Sequence, residues 1–578
     1  MTESTRIRSG EHRIVLLLAV LARGYPWPVD PGEELCQAID FLDRPVDAGT
    51  IVRAGYVVGL VIGVAFGTTA LLVPSQFRLP VGLAALSAGL LAAHLIHQAP
   101  ALLASAKRAS ALGAAPDLVA RIVLSMRLAP SPERAGEFAA STGTGVLAES
   151  LGEHVRRGTH TGRPGLGTFG DAWSDRFPSL RRSCDLVTAA GAAPAGDRDR
   201  LLDRSLQSVM EGTREHMQSF AASIRSPVTA LYAFGVLLPT ALVALLPAAS
   251  AAGVAVTPLS VVVVYNVVLP GSLIAAGGWL FTRRPVAFPP PVVSTDHPDV
   301  SDHRRYAPIV GAGGALLAWL VAGHFLPSWG APIVASGVGG GLGLWVRYRP
   351  IVGMYERIRA VEGSLPDALS LIGRRVANGR AVETAIEETA SELDGETGAV
   401  LEAGARRQRQ LQLGIQEAFL GRNGTLDRVP SPRVRGSFAL LSLAAKEGRP
   451  AGSALLSLAS HVGDLQDIER EARHSLAHLC RTLQTTGMVF APMVAGATVA
   501  LAEGIGGAAT FGEGGRSLVW LGAPVGLYVL VLAVVLTALA TGLIRGLDRA
   551  LVGYRSGRAL VCATVVYGCA YLVVGAIA

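Results

Sequence analysis

The stretch LPDALSLIGRRVANGRAVETAIEETA, residues 365–390, encodes two short amphipathic helices separated by a break. In the first helix, apolar side chains recur in steps of four, three and four, which places them on one face: Leu365, Leu369, Ile372 and Val376. Ser364 is positioned to cap this helix, with Asp367 as its capping-box partner and Pro366 at the start. The Asn378-Gly379 pair supplies the left-handed residue that ends it.

The second helix of this stretch is one-sided as well. Its inward face carries Val382, Ala385, Ile386, Ala390 and Leu393, and its outward face carries Glu383, Glu387 and Glu388. Downstream, SFALLSLAAKEGRPAGSALLSLASHV (437–462) repeats the scheme with Gly448 as the break. Together these segments predict a bundle of roughly six short helices, large enough for its own hydrophobic core.

Long apolar runs lie on both sides of this bundle. Half of the 578 residues are hydrophobic, 16% are charged and the mean hydropathy is +0.42, which is too apolar for an ordinary soluble enzyme. A helix that crosses a bilayer needs about 17–25 residues. Nine runs fit: Ala54–Val73, Pro80–His97, Pro227–Leu246, Thr257–Phe281, Ala307–Phe325, Gly330–Val346, Thr486–Ala502, Ser517–Leu543 and Ala559–Ala578. The sequence therefore predicts an all-α, polytopic membrane protein.

The chain has a net charge of +7, and its positive side chains follow the predicted membrane topology. Arginine dominates in every second connecting segment, as the positive-inside rule requires for a chain with a cytoplasmic N-terminus and an extracellular C-terminus in the cell membrane. Because the charge follows the membrane, we expect no nucleic-acid partner. The predicted segments are a cytoplasmic N-terminal segment (1–53), a hairpin (54–97), a first soluble bundle (98–226), a transmembrane pair (227–281), a linker (282–306), a hairpin (307–346), a second soluble bundle (347–485), a transmembrane pair (486–543), and a basic loop with the last span (544–578).

The order of these segments repeats. Two spans, a soluble segment and two further spans occur twice, and both soluble segments open with a Pro-Asp pair, in APDLVARIVLSMRL (115–128) and in LPDALSLIGRRVANG (365–379). Each segment ends in a long helix that runs into the membrane and reaches a proline, Pro239 or Pro492. An even number of spans per unit makes the two halves parallel, so the sequence predicts a tandem parallel repeat. Both prolines are expected to kink their helices.

Catalytic patterns were not found. There is no GxxxxGK[ST] phosphate-binding loop, no GxSxG nucleophile elbow and no Cys/His ligand spacing, so we expect no enzyme activity, catalytic residue, cofactor or metal. The best polar candidate within a span is Asn266, close to Pro270, which we interpret as a helix kink and a helix-to-helix hydrogen bond. Glu503 lies at the outer edge of the seventh span.

The motif at 365–390, present with a diverged second copy, resembles the F domain of type II secretion systems. The long form, with an N-terminal LAVLARGYPWPV (18–29), is most similar to archaeal members, the membrane platform proteins of type IV pili and the archaellum. In the first copy, Ala129-Pro130 stands where the second copy has Asn378-Gly379. The resemblance implies a non-enzymatic platform that couples a hexameric secretion ATPase to the extraction of pilin subunits, with a second copy of the chain as a further partner.

Charged faces of the second bundle are the candidate ATPase-docking surface that this resemblance implies. They comprise Asp464, Asp467, Glu469, Arg470, Glu471 and Arg473 on one helix and Arg406, Arg407 and Arg409 on another. The alternative interpretation is a solvated helix face with internal pairs between residues i and i+4. Two other functions stay open: a transporter, which needs polar residues that converge at mid-membrane, and a signalling scaffold unrelated to filaments.

Overall fold

A computed structural model describes residues 16–42, 46–72, 75–161, 164–251, 257–282, 293, 297, 299–300, 305–447, 451–508 and 519–577. Every regular element in these ranges is helical, which confirms the all-α class. The predicted break at Gly448, the first fifteen residues and most of the predicted linker 282–306 lie outside the described residues.

The first half begins with α1 (Glu33–Leu42), α2 (Ala48–Leu72) and α3 (Ser75–Gly113). A first bundle follows, made of α4 (Ala115–Leu128), α5 (Pro132–Thr142), α6 (Val146–Thr161), α7 (Gly165–Trp173), α8 (Pro178–Ala192) and α9 (Ala195–Tyr232). Its core packs large side chains with almost no exposure, among them Met126, Leu151, Phe169, Phe177 and Leu180. The half ends with α10 (Leu238–Ala251), α11 (Pro258–Val263) and α12 (Leu269–Thr282).

The second half begins with α13 (Ala307–Phe325) and α14 (Gly330–Gly363). A second bundle contains α15 (Leu365–Ala377), α16 (Val382–Glu392), α17 (Gly395–Leu411), α18 (Pro432–Glu447) and α19 (Ala451–Thr485), with a π-turn at Gln416–Leu420 and a 3-10 turn at Thr425–Arg428 between α17 and α18. The rings of Phe419 and Phe438 stack in its core with centroids 4.6 Å apart. The chain continues through α20 (Ala491–Ala508), α21 (Gly522–Arg545) and α22 (Arg549–Ile577).

The predicted apolar faces of α15 and α16 point inward. Leu365, Leu369 and Ile372 are buried and Val376 packs against the same core. Val382, Ala385 and Ile386 are buried on the next helix, and Ala390 and Leu393 pack at the rim. Steps of three and four along the sequence therefore identified the buried face correctly.

Eight segments among the described residues are long and apolar enough to cross a membrane: Ala48–Thr68, Ala85–Leu128, Ala195–Leu246, Pro258–Phe281, Ala307–Phe325, Gly452–Gly504, Gly522–Arg545 and Arg549–Ile577. The sequence predicted nine, and the one that is missing from this set is Gly330–Val346, whose many glycines lower its hydropathy. That stretch is the first half of α14, which packs closely against α13 and α22. At one point a Cβ added to Gly341 would come within 2.7 Å of the Gly557 carbonyl oxygen, so glycine is needed for this approach.

Three helices that enter the apolar region contain a π-turn: Ala233–Leu237, Val264–Val268 and Thr486–Phe490. In each case a proline follows two residues after the turn, at Pro239, Pro270 and Pro492. Proline lacks the N–H for an ordinary helical hydrogen bond and its ring crowds the preceding turn. A widened turn accommodates this without ending the helix, so α9 continues into α10, and α19 into α20, with no loop between them.

Candidate functional site

The two bundles meet at an interface, here called the joint, where α4 and α9 of the first bundle contact α18 and α19 of the second. Most of the charged residues that the sequence predicts as docking candidates lie at this joint. The long helices α9 and α19 lie side by side, and α4 packs against α18 and α19. Across the joint, Arg214 forms an ion pair of 2.9 Å with Glu471, and the Gln218 side chain donates to the same carboxylate at 3.2 Å. The bundles are therefore connected by polar contacts as well as by apolar packing.

Arg121 connects the bundles at a second point. Its side chain is 3% exposed and donates to Asp117, to the carbonyl oxygen of Thr142 at 2.8 Å and to that of Pro432 at 3.3 Å. A Cβ on Gly436 would overlap the guanidinium group, so the second bundle leaves room for an arginine of the first. The sequence gave no signal for this contact because the two positions are more than three hundred residues apart.

A groove of about 380 Å³ runs between α9 and α19. Four carboxylates line it, from Asp203, Glu211, Asp464 and Asp467, together with Arg214 and the buried side chain of His461. Asp464 and Asp467 are exposed. These two docking candidates therefore lie on an acidic edge of the joint that a basic partner surface can reach.

The other acidic candidates are engaged within the chain. Glu469 is only 14% exposed, because it accepts from Arg473 and lies 3.4 Å from a guanidinium nitrogen of Arg433. Glu471 belongs to the α9–α19 joint. The structure thus divides the predicted acidic face, and Glu469 is a poor choice for an exposed docking residue.

The basic candidates on α17 are exposed in part. Arg406 pairs with Glu402 at 2.7 Å, one turn earlier, and Arg409 pairs with Glu387 of α16. Arg407 is half-buried. Two of these three arginines have internal partners, and Arg470 likewise pairs with Asp467 within α19. Such exposed pairs contribute little to stability, so they can be exchanged for contacts with a partner.

The capping box that the sequence predicts at Ser364 and Asp367 is not formed. Ser364 does not cap α15 with its side chain, because α14 extends to Gly363 and leaves Ser364 in a tight connection with φ −95° and ψ 3°. Pro366 and Asp367 occupy the first turn of α15, but no hydrogen bond joins the Asp367 side chain to Ser364, so the prediction that Asp367 is its capping-box partner is wrong. Gly379 has φ +89°, and its N–H donates to the Val376 carbonyl at 2.9 Å, directly after Asn378.

Polar side chains inside the apolar region bond to the backbone near the π-turns. Tyr265 donates to the carbonyl oxygen of Pro239 at 2.8 Å, and Tyr528 donates to that of Gly235 at 2.6 Å. Gly235 is four residues before Pro239, so its carbonyl is the one that the proline cannot satisfy. We expected Asn266 to form a hydrogen bond between helices, and this prediction is wrong. The Oδ1 of Asn266 is buried without a partner, and the neighbouring Tyr265 makes a hydrogen bond to another helix instead.

Glu503 at the end of α20 is held by two aromatic donors. The Trp329 indole N–H donates to one carboxylate oxygen at 3.1 Å, and the Tyr571 hydroxyl donates to the other. Trp329 precedes α14, and Tyr571 lies near the end of α22. These two hydrogen bonds connect α20 to the start of α14 and to the end of α22. They explain why a carboxylate is found at the edge of an apolar helix.

A second space in the joint is larger, about 550 Å³, and was not foreseen from the sequence. It lies where the end of α3, the starts of α4 and α6, and parts of α14, α18 and α19 meet the end of α21, and several arginines line it. No group of three or more His, Cys, Asp or Glu side chains in the described ranges could hold a metal ion.

Comparison of the chain with protein-family models, with curated proteins and with solved structures finds no match.

Proposed function

We propose that the chain is a membrane platform protein of a type IV pilus-like assembly machine, which couples a cytoplasmic hexameric ATPase to the extraction of pilin subunits and to filament growth. The observation that carries this proposal is that two helical bundles each continue, through a π-turn and a proline, into an apolar helix. A platform needs such a connection between a soluble docking domain and the membrane.

The proposal includes a tandem parallel repeat. Support comes from the helix lengths, because α4, α5 and α6 have 14, 11 and 16 residues and α15, α16 and α17 have 13, 11 and 17. The long helices α9 and α19 have 38 and 35 residues. In this reading, Pro239 and Pro492 are equivalent positions.

The topology belongs to the proposal as well. Nine spans, with the first half of α14 as the sixth, place both bundles on the side where arginine is abundant. Close packing of this glycine-rich half against α13 and α22 supports its place in the membrane. The N-terminus is then cytoplasmic and the C-terminus extracellular.

We assign the ATPase contact to the acidic edge at Asp464 and Asp467, since both are exposed. Complementary charge governs encounter and register between partners, so a basic surface of the ATPase is the expected counterpart. The basic run at Arg406, Arg407 and Arg409 is a second candidate contact for an acidic surface.

The test is affinity purification of the full chain from its native membranes, followed by identification of the proteins that copurify. A hexameric ATPase and a pilin are the expected partners. The double variant Asp464→Lys, Asp467→Lys should recover several-fold less ATPase, whereas Glu383→Lys, an exposed acidic position on α16, should recover as much as wild type.

The proposal fails if no ATPase copurifies under gentle conditions and a deletion strain keeps its surface filaments. A transporter or a signalling scaffold would then be the better interpretation. For a transporter, Tyr265 and Tyr528 offer little, because both are committed to backbone carbonyls, and the unpartnered Oδ1 of Asn266 is the polar group that this interpretation would have to use.

A further inference from the structure

The 550 Å³ cavity between the bundles has an unusual charge balance. Five cationic side chains line it: Lys107, Arg359, Arg433, Arg473 and Arg545. Three carboxylates face them, from Asp117, Glu362 and Glu469. Asp117 is already paired with Arg121, which lies outside the lining. The cavity therefore has an excess of positive charge in a partly desolvated space.

The carboxylates satisfy only some of these cations. Arg433 lies between Glu362 and Glu469, at 3.9 and 3.4 Å, and Arg473 also bonds Glu469. Glu362 accepts a further hydrogen bond of 2.5 Å from Ser431. Neither glutamate pairs with the other two arginines of the cavity.

Arg359 and Arg545 make no ion pair and no side-chain hydrogen bond with any residue that the structure describes. The Nε of Arg545 is buried without a partner. Burial, and then the nearby guanidinium groups of Arg473 and Arg555, lower the pKa of Arg359 from its ordinary value. Like charges held together in this way cost free energy unless an anion joins them.

Two helix N-termini contribute to the same wall. Ala114, the N-cap residue of α4, and Asp117 in its first turn line the cavity, as do the first three residues of α6. Gly145, with φ +87°, precedes α6 directly. The first backbone N–H groups of a helix have no partner within it, and the helix dipole favours negative charge there. No side chain caps α4, since its N-cap residue is Ala114.

We propose that this cavity binds a phosphate-bearing anion, held by the guanidinium groups of Arg359 and Arg545 and by the amides at the start of α6. Planar guanidinium groups match phosphate oxygens in bidentate geometry. Arg545 is the last residue of an apolar helix, so the phosphate can belong to a lipid headgroup or to a soluble molecule. The two sources share this chemistry.

The first arm of the test uses pyrophosphate. Full-length protein in nanodiscs of phosphatidylcholine is titrated with pyrophosphate by calorimetry, at an ionic strength held constant with potassium chloride. Saturable binding that chloride does not reproduce identifies a soluble phosphate site. Arg359→Gln and Arg545→Gln should each weaken it at least about tenfold, because each removes charge-assisted hydrogen bonds.

The second arm uses lipid. Wild-type protein is transferred to a phosphatidylcholine–phosphatidylglycerol mixture, and native mass spectrometry counts the phosphatidylglycerol molecules that stay bound. Retention by the wild type, and loss in both variants without any pyrophosphate binding, identifies a headgroup site. Arg549→Gln is the matched control, because Arg549 is exposed, lies four residues after Arg545 and does not line the cavity.

Stability without ligand gives an independent readout. Removing one of several repelling arginines should leave the melting temperature of the ligand-free protein unchanged or raise it. The proposal is overturned if neither probe binds beyond the controls, if both variants bind like wild type, or if both variants melt well below wild type without ligand. These outcomes do not depend on any ATPase or pilin.

Discussion

Each of the two bundles has a break after its first helix, and the two breaks use different chemistry. In the first, α4 ends at Leu128, Ala129 is extended, and Ser131 caps α5 by accepting from the Arg134 N–H at 3.4 Å. In the second, α15 ends at Asn378-Gly379 with a left-handed glycine, and α16 begins at Val382 with no side-chain cap. One bundle specifies how the next helix starts, and the other specifies how the previous helix ends.

The difference teaches that a helix break can be encoded on either side of the gap. Asn-Gly is an easily read stop signal, whereas Ser-Pro at an N-cap and first helical position signals a start. A search for stop signals alone would miss the break after Leu128 in the first bundle. Substitutions that act on one signal at a time test this view.

The largest effect is expected where the bundles meet. Arg121→Met leaves Asp117 without its partner and removes hydrogen bonds from the carbonyls of Thr142 and Pro432. Because the Asp117 side chain is 39% exposed and water can solvate it, most of the loss comes from the two carbonyl oxygens that lose their donor, and we expect a loss of about 2–3 kcal/mol of unfolding free energy. Denaturant unfolding of the full chain in detergent measures it. The control Arg200→Met, at an exposed pair with Asp197, should change stability by under about 0.5 kcal/mol, and equal losses would contradict the prediction.

Next in size is the stop signal of the second bundle. Gly379→Ala forces a Cβ into a left-handed conformation and should destabilise the protein by about 1–2 kcal/mol. The control is Gly353→Ala in the interior of α14, where nothing lies within 4 Å of the added Cβ. That change should stabilise slightly, by roughly 0.5–1 kcal/mol, because alanine favours a helix. In thermal unfolding, the melting temperature should fall for Gly379→Ala and rise for Gly353→Ala. A shift of both melting temperatures in the same direction would contradict the prediction.

The start signal of the first bundle should be weaker. Ser131→Ala removes a cap with a long hydrogen bond, so a loss of about 0.5–1 kcal/mol is expected. Ser131→Gly should cost only a few tenths of a kcal/mol. Chemical denaturation measures both unfolding free energies. Equal losses for Ser131→Ala and Ser131→Gly would show that the Ser131 cap does not stabilise the start of α5.

The smallest effect is expected at Ser364. Its side chain makes no capping bond, so Ser364→Ala should leave the unfolding free energy within about 0.5 kcal/mol of wild type. A measured loss as large as that of Ser131→Ala would restore the predicted cap. Together the two serines separate a cap that functions from one that only matches a pattern.

Local periodicity predicted the helices and their buried faces well, because Leu365, Leu369 and Ile372 sit at helical spacing and are buried. The cap at Ser364 was wrong since the continuation of α14 to Gly363 is a property of the preceding helix. The π-turns were foreseen only as kinks at proline. The cavity at Arg359 and Arg545 could not be predicted, because it joins residues from distant segments that no short pattern connects.

The unbroken passage from α9 into α10, and from α19 into α20, has a mechanical consequence. At 1.5 Å per residue, each continuous helix is roughly 85 Å long, far longer than the bilayer core of about 30 Å is thick. Because no loop separates the two parts of each helix, a force applied to either bundle would act directly on the apolar helix that continues from it. The π-turn before Pro239 or Pro492 interrupts the regular hydrogen-bond pattern of each helix, so we expect any bending of the helix to occur there.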